Sequence, residues 1–142
     1  MNSLAKLLVA ATLLAPSALA AESPVAGTWR GKFYDLPAVV LTVRNDGGKL
    51  SGTILFYLLH RNTEHDPWQV DLTHSKALPL LDPKFDGKTL FFQVSHKEAH
   101  PPRTLNDQPS SFQLRLGAKG EAELWNMTEE RSPAVKMVRD VK

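Results

Sequence analysis

Five histidines, His60, His65, His74, His96 and His100, are the side chains here best suited to chemistry. A neutral imidazole ligates divalent metals, and an imidazolium holds an anion. Near them in the chain stand Asp66, Glu98, Arg103 and Asp107. Three such ligands with an open fourth position would make a catalytic zinc site. The spacing does not supply one. His96-Lys97-Glu98-Ala99-His100 is not His-Glu-x-x-His, and Pro101 and Pro102 argue against the helix that motif needs. On a strand, residues four apart share a face but lie about 13 Å apart, so a single metal would require a bend after Glu98. The alternative reading of these histidines is loop bracing at the surface. No metal and no cofactor is expected.

Nucleophilic chemistry is equally unsupported. The chain has no cysteine, which removes thiolate nucleophiles, thiolate zinc sites, disulfides and a lipidated cysteine anchor. Ser95, Ser110 and Ser111 could stand beside a histidine and Asp107, but no Gly-x-Ser-x-Gly elbow is present. Glu129-Glu130 and Asp35 read as turn residues rather than paired acids. The expectation is a non-enzymatic protein. Its most distinctive segment is residues 99–109, where Pro101-Pro102 restrict the backbone while Arg103 and Asn106 offer donors. That segment reads either as a semi-rigid lid or as a loop braced by Asp107.

The elements that must position these groups follow from periodicity. Residues 1–20 carry Lys6, an apolar run from Leu7 to Leu14, and Ala18-Leu19-Ala20, the pattern of a cleavable signal peptide. The apolar run is shorter than the roughly 20 residues that span a bilayer, so no membrane anchor is expected and the protein is placed in the periplasm or outside the cell. Residues 21–142 make one domain. The formal charge of +2 includes Lys6, and the remaining Lys and Arg are scattered singly, so nucleic acid is not an expected partner.

Period-2 alternation runs through residues 21–142, which predicts an all-β domain. Trp29, Gly31 and Phe33 alternate with Arg30 and Lys32, and Val39, Leu41 and Val43 with Val40, Thr42 and Arg44. Asn45-Asp46-Gly47-Gly48 is a tight-hairpin turn, and Leu50, Gly52, Ile54, Phe56 and Leu58 continue the inner face. A weaker fourth strand is placed after Trp68, through Val70 and Leu72, with residues 75–85 irregular. Leu90, Phe92 and Val94 make the fifth; Phe112, Leu114 and Leu116 the sixth; residues 122–128 the seventh; and residues 134–139 the eighth. Eight antiparallel strands in simple succession predict an up-and-down barrel, which leaves no exposed edge.

In such a meander successive turns fall at alternate ends. One end receives the short turns at residues 46–48, 86–88 and 117–120. The other receives Asp35-Leu36-Pro37 and residues 60–67, 98–109 and 129–133, and is the expected mouth. His60, His65, His96 and His100 fall there, and His74 towards the opposite end.

Gly27-Thr28-Trp29 followed by Gly48-x-Leu50-x-Gly52 resembles the calycins, the lipocalin-like and avidin-like barrels whose first strand carries Gly-x-Trp. The chain also resembles a group of uncharacterised secreted bacterial proteins that share this opening and the stretch Val94-Ser95-His96-Lys97-Glu98-Ala99-His100-Pro101-Pro102-Arg103. The lipocalin resemblance implies that Arg139 packs across Trp29. The lipocalin Thr-Asp-Tyr motif is absent, and Arg30-Gly31-Lys32-Phe33 does not supply the polar residues of an avidin-type biotin site. Independently of the resemblance, Trp29 reads as a core anchor, with Gly31 and Gly52 leaving room for its ring or a neighbouring backbone.

Two functions fit. One is a binding protein that takes a small, partly apolar molecule at the mouth, with His60, His96, His100, Arg103 and Asp107 as candidate ligand-binding residues. The other is a protein-interaction module or homo-oligomer with a filled barrel, using outward apolar residues such as Val40, Leu55, Phe91, Trp125 and Val138. A His-based metal enzyme is a weaker third.

Overall fold

The structure, a computed structural model, describes residues 23–97, 108–129 and 131–141. The signal-peptide residues, His100, Arg103 and Asp107 lie outside the described residues.

Alternation of branched and aromatic residues with polar ones fits a pleated surface buried on one side. The strands are β1 (Gly27–Phe33), β2 (Leu36–Asp46), β3 (Lys49–Phe56), β4 (Leu58–His60), β5 (Gln69–Asp71), β6 (Leu78–Pro79), β7 (Leu81–Phe85), β8 (Thr89–Val94), β9 (Ser110–Leu116), β10 (Glu121–Asn126) and β11 (Val135–Arg139). Nine form one antiparallel sheet in the order β6-β3-β2-β1-β11-β10-β9-β8-β7. The pairing of β1 with β11 joins the chain's first and last strands, and β6 and β7, at opposite ends of the sheet order, are separated by Leu80 alone. The sheet is thereby a nearly closed barrel.

The sheet has nine strands in place of the expected eight, because two short strands occupy the position expected for the fourth. Residues 69–71 form β5, which pairs only with β4 in a separate two-stranded hairpin, while the segment expected to be irregular supplies β6 and β7. The physical reason is a broken stave. Leu78 and Pro79 pair with Ile54 and Thr53, and the Leu80 N–H donates to the Gly52 carbonyl at 3.0 Å. Asp82 then takes a positive φ of 48°, and a register irregularity between Leu81 and Lys84 encloses Pro83. Prolines are tolerated in a sheet at such edges and bulges.

The inward column is apolar. Trp29, Leu41, Ile54, Leu90, Leu114 and Met137 are essentially inaccessible to solvent. Trp29 anchors the short-turn end: its indole N–H donates to the Val25 carbonyl at 2.9 Å, and Val25 is itself fully buried. The Arg139 guanidinium lies 5.7 Å from the centre of the Trp29 ring and donates to the Pro24 carbonyl at 3.1 Å. A buried indole contributes up to about 4–6 kcal/mol at ~25 cal/mol/Å².

Gly31 and Gly52 mark close approaches. A Cβ on Gly31 would come within 2.6–2.8 Å of Met137, Val135 and Val39, and one on Gly52 would collide with the Thr42 carbonyl oxygen. Phe33, expected inward, is 38 % exposed, because the register shifts between Gly31 and Lys32 and carries the strand end off the inner face. Leu58, expected on the third strand, belongs instead to β4.

Candidate ligand cavity at the barrel mouth

Three adjacent strands change chemistry as they approach the same end, each column from β10 to β9 to β8 one inward row further along than its neighbour. Along β8 the inward positions run Leu90, Phe92, Val94 and then His96; along β9, Leu114, Phe112 and then Ser110; along β10, Ala122, Leu124 and then Asn126. Phe92, Phe112 and Asn126 lie side by side in the sheet register, as do Val94 and Ser110. Below this staggered boundary the side chains meet and exclude solvent. Above it they turn polar and the lumen opens into a cavity of about 400 Å³.

Ala38, Val39, Phe56, Phe112, Leu124 and Val135 form its apolar wall. His96, Ser110, Asn126, Glu129 and Ser132 supply the polar groups. The rings of His96, Phe56, Phe112 and Phe92 follow one another at centroid spacings of 6.1, 5.6 and 5.6 Å, within the range of aromatic pairs. Asn126 Oδ1 accepts the backbone N–H groups of Thr128 and Glu129 at 3.0 and 3.3 Å, which folds the β10–β11 connection over the mouth. The Ser132 N–H closes that turn on the Glu129 carbonyl at 3.1 Å. A volume of this size falls at the lower end of the roughly 300–1,000 Å³ typical of small-molecule pockets.

Among the candidate ligand-binding residues, His96 lines this cavity. His60 does not: it ends β4 and is exposed on the hairpin, as is His65 in its loop. His100, Arg103 and Asp107 fall outside the described residues. His74, expected towards the short-turn end, sits in the connection between β3 and β6, which belongs to the long-connection side. Asp35-Leu36-Pro37, expected as a loop, is a two-residue turn of Tyr34 and Asp35, both with positive φ, and Leu36 pairs directly with Phe33.

The cluster of Asp71, Thr73 and His74 has the composition of a nucleophile, base and acid, but not the geometry. Thr73 Oγ1 at 3.0 Å and Asp71 Oδ2 at 2.5 Å both approach the same ring nitrogen, His74 Nδ1. A proton relay needs them on opposite ring nitrogens. The cluster is a turn brace: Asp71 Oδ1 accepts the Thr73 N–H and hydroxyl, each at 2.8 Å. These bonds from Thr73, with the contact from His74, hold the Asp71 carboxyl well below the usual carboxylate range. Among the described residues no three His, Asp or Glu side chains converge on a metal-sized site.

Ser110, Asn126 and Glu129 were missed as cavity residues. The first two carried a readable signal, since each is a polar residue in phase with the inward apolar column of its own strand. Glu129 lies on a turn, where strand parity does not reach.

No protein-family model, no curated protein and no solved structure matches the chain. The likeness to secreted bacterial proteins through residues 94–103 gains no support from these comparisons. The fold itself, an antiparallel and nearly closed β-barrel, is compatible with the calycin architecture.

Proposed function

We propose that this chain is an exported, calycin-like binding protein that receives one small, partly apolar molecule in the barrel mouth and performs no chemistry on it. The observation that carries this reading is the staggered boundary along which the inward columns of β8, β9 and β10 switch from packed apolar residues to His96, Ser110 and Asn126, all three lining one open cavity. A barrel selected only to be a filled core gains nothing by stopping its packing there, because each unfilled volume weakens the fold. A few placed polar groups above an apolar floor are the usual composition of a ligand site. The resemblance of the first 20 residues to a signal peptide supports a periplasmic or secreted location.

The alternative of an interaction module is less well supported by the outer wall. Phe91 and Trp125 share a row with Gln113 between them, and the Trp125 ring is covered by the Arg115 guanidinium at 4.6 Å and tied to Glu123 at 3.1 Å. Val138, half exposed, stands on β11 beside Arg30 and Glu121. These interruptions separate Phe91, Trp125 and Val138 from one another, and single exposed apolar residues need no partner.

Native mass spectrometry on protein exported to the periplasm and purified without affinity metal tests the proposal, with Ser110→Phe as the variant that places a ring in the cavity. The expected result is an added mass on the wild-type protein that is lost on denaturation and is absent from the variant. An adduct retained by Ser110→Phe would sink the mouth assignment, and a bare dimer of both proteins would favour the interaction module.

A further inference from the structure

Resting on the reading of the mouth as a ligand site, we infer that its ligand is a flat aromatic compound carrying a protonated amine. Two independent features of the lining lead there. The first is the run of rings from Phe92 through Phe112 and Phe56 to His96, whose last three members line the cavity. A planar ring entering the mouth extends this run at the spacing its members already keep, and gains quadrupole contacts that an aliphatic chain of equal area does not. The second is charge. Among the described residues that line the cavity, Glu129 is the one carboxylate, and no lysine or arginine is present.

Three of the polar groups, Glu129, Ser110 and Ser132, can serve a donor-bearing ligand. A carboxylate accepts only, and Ser110 and Ser132 hydroxyls accept as readily as they donate. Asn126 has its oxygen committed to the Thr128 and Glu129 N–H groups, which fixes the turn that carries Glu129 at the rim. An ammonium group on the ligand therefore meets acceptors at Glu129, Ser110 and Ser132, while a carboxylate or phosphate meets the Glu129 charge with no lysine or arginine among the described lining residues. Glu129 is exposed, so the discrimination is modest and screened by salt.

The test uses four probes of similar size on the isotope-labelled exported protein, followed by chemical-shift titration at low ionic strength. They are tryptamine, its neutral alcohol analogue indole-3-ethanol, indole-3-acetate, and octan-1-ol. Tryptamine is expected to bind about five-fold more tightly than indole-3-acetate, with the alcohol between them. Glu129→Gln should bring the three within about two-fold, and 0.5 M salt should compress the order in the wild type. Indole-3-acetate binding as tightly as tryptamine, or a preference that survives Glu129→Gln, overturns the inference. Octan-1-ol binding at the mouth without any indole overturns the aromatic-amine class and leaves the ligand site standing. If none of the four moves resonances of the lining residues, both readings fall.

Discussion

Replacing Trp29 with phenylalanine should weaken the barrel substantially without touching its mouth. Trp29 is 1 % exposed, and its indole N–H satisfies the carbonyl of fully buried Val25 at 2.9 Å. Phenylalanine retains the ring but removes the donor, and a buried carbonyl left without a partner costs about 1–2 kcal/mol. The smaller ring also leaves unfilled space in the core beside Val25, for a further ~1–2 kcal/mol, so the total is about 2–4 kcal/mol. That is a large share of the roughly 5–15 kcal/mol that holds a domain folded, and corresponds to a fall in Tm on the order of 10 °C. Urea unfolding followed by far-ultraviolet circular dichroism is the appropriate assay, since removing an indole alters fluorescence directly. Trp29 does not line the mouth cavity, so ligand affinity measured well below the new Tm should be unchanged. A loss below about 1 kcal/mol with an unaltered denaturant slope would refute the claim that the indole and its bond to Val25 seal the barrel base.

Asp35→Gly should stabilise the protein by about 0.5–1 kcal/mol, because Asp35 holds φ at 61° at the second position of a two-residue hairpin turn; a lowered urea midpoint would contradict this. Gly52→Ala should destabilise by at least ~1–3 kcal/mol, since the new methyl group meets the Thr42 carbonyl and β3 must move off β2; an unchanged midpoint would show that the strands are not so close. The Asp71 carboxyl is depressed by its bonds from Thr73 and its contact with His74, so its contribution is complete above the unfolded value near ~3.9 and is lost only as pH falls below that towards the folded value. Carboxyl-carbon NMR should find Asp71 still ionised near pH 3, and an ordinary midpoint would contradict the turn geometry.

Much of the barrel was legible in the sequence because its inner face is a strict alternation of large apolar residues. Leu41 with Val39 and Val43, Phe92 with Leu90 and Val94, and Leu114 with Phe112 all point inward as the period requires. The fourth stave was not legible, since Leu78 to Phe85 carry Pro79, Pro83 and Asp82 at positions where regular strands seldom have them, whereas Val70 and Leu72 mimic alternation in a peripheral hairpin. The two-residue turn at Tyr34-Asp35 was hidden for a related reason: a bulky aromatic at φ 51° contradicts the residue preferences of that turn. Tertiary contacts compensate there, with the Tyr34 ring stacked 5.5 Å from Trp68 and edge-on to Phe33 at 4.5 Å. At the candidate site, attention to histidine as a residue type found His96, but the exposed His60 was grouped with it by loop parity alone. Ser110 and Asn126 could be found only by asking where each inward column ceases to be apolar.

The proposed binding of a small molecule at the mouth of this barrel, and not at its outer wall or its base, can be tested without knowing the ligand. The most direct measurement is an NMR screen of the labelled protein against a chemically diverse fragment library. Saturable shift changes are expected to cluster on Val39, Phe56, His96, Ser110, Phe112 and Asn126. Shifts that cluster instead around Thr28, Arg44 and Arg139 at the short-turn end, or a library that leaves the mouth residues unmoved, would contradict it.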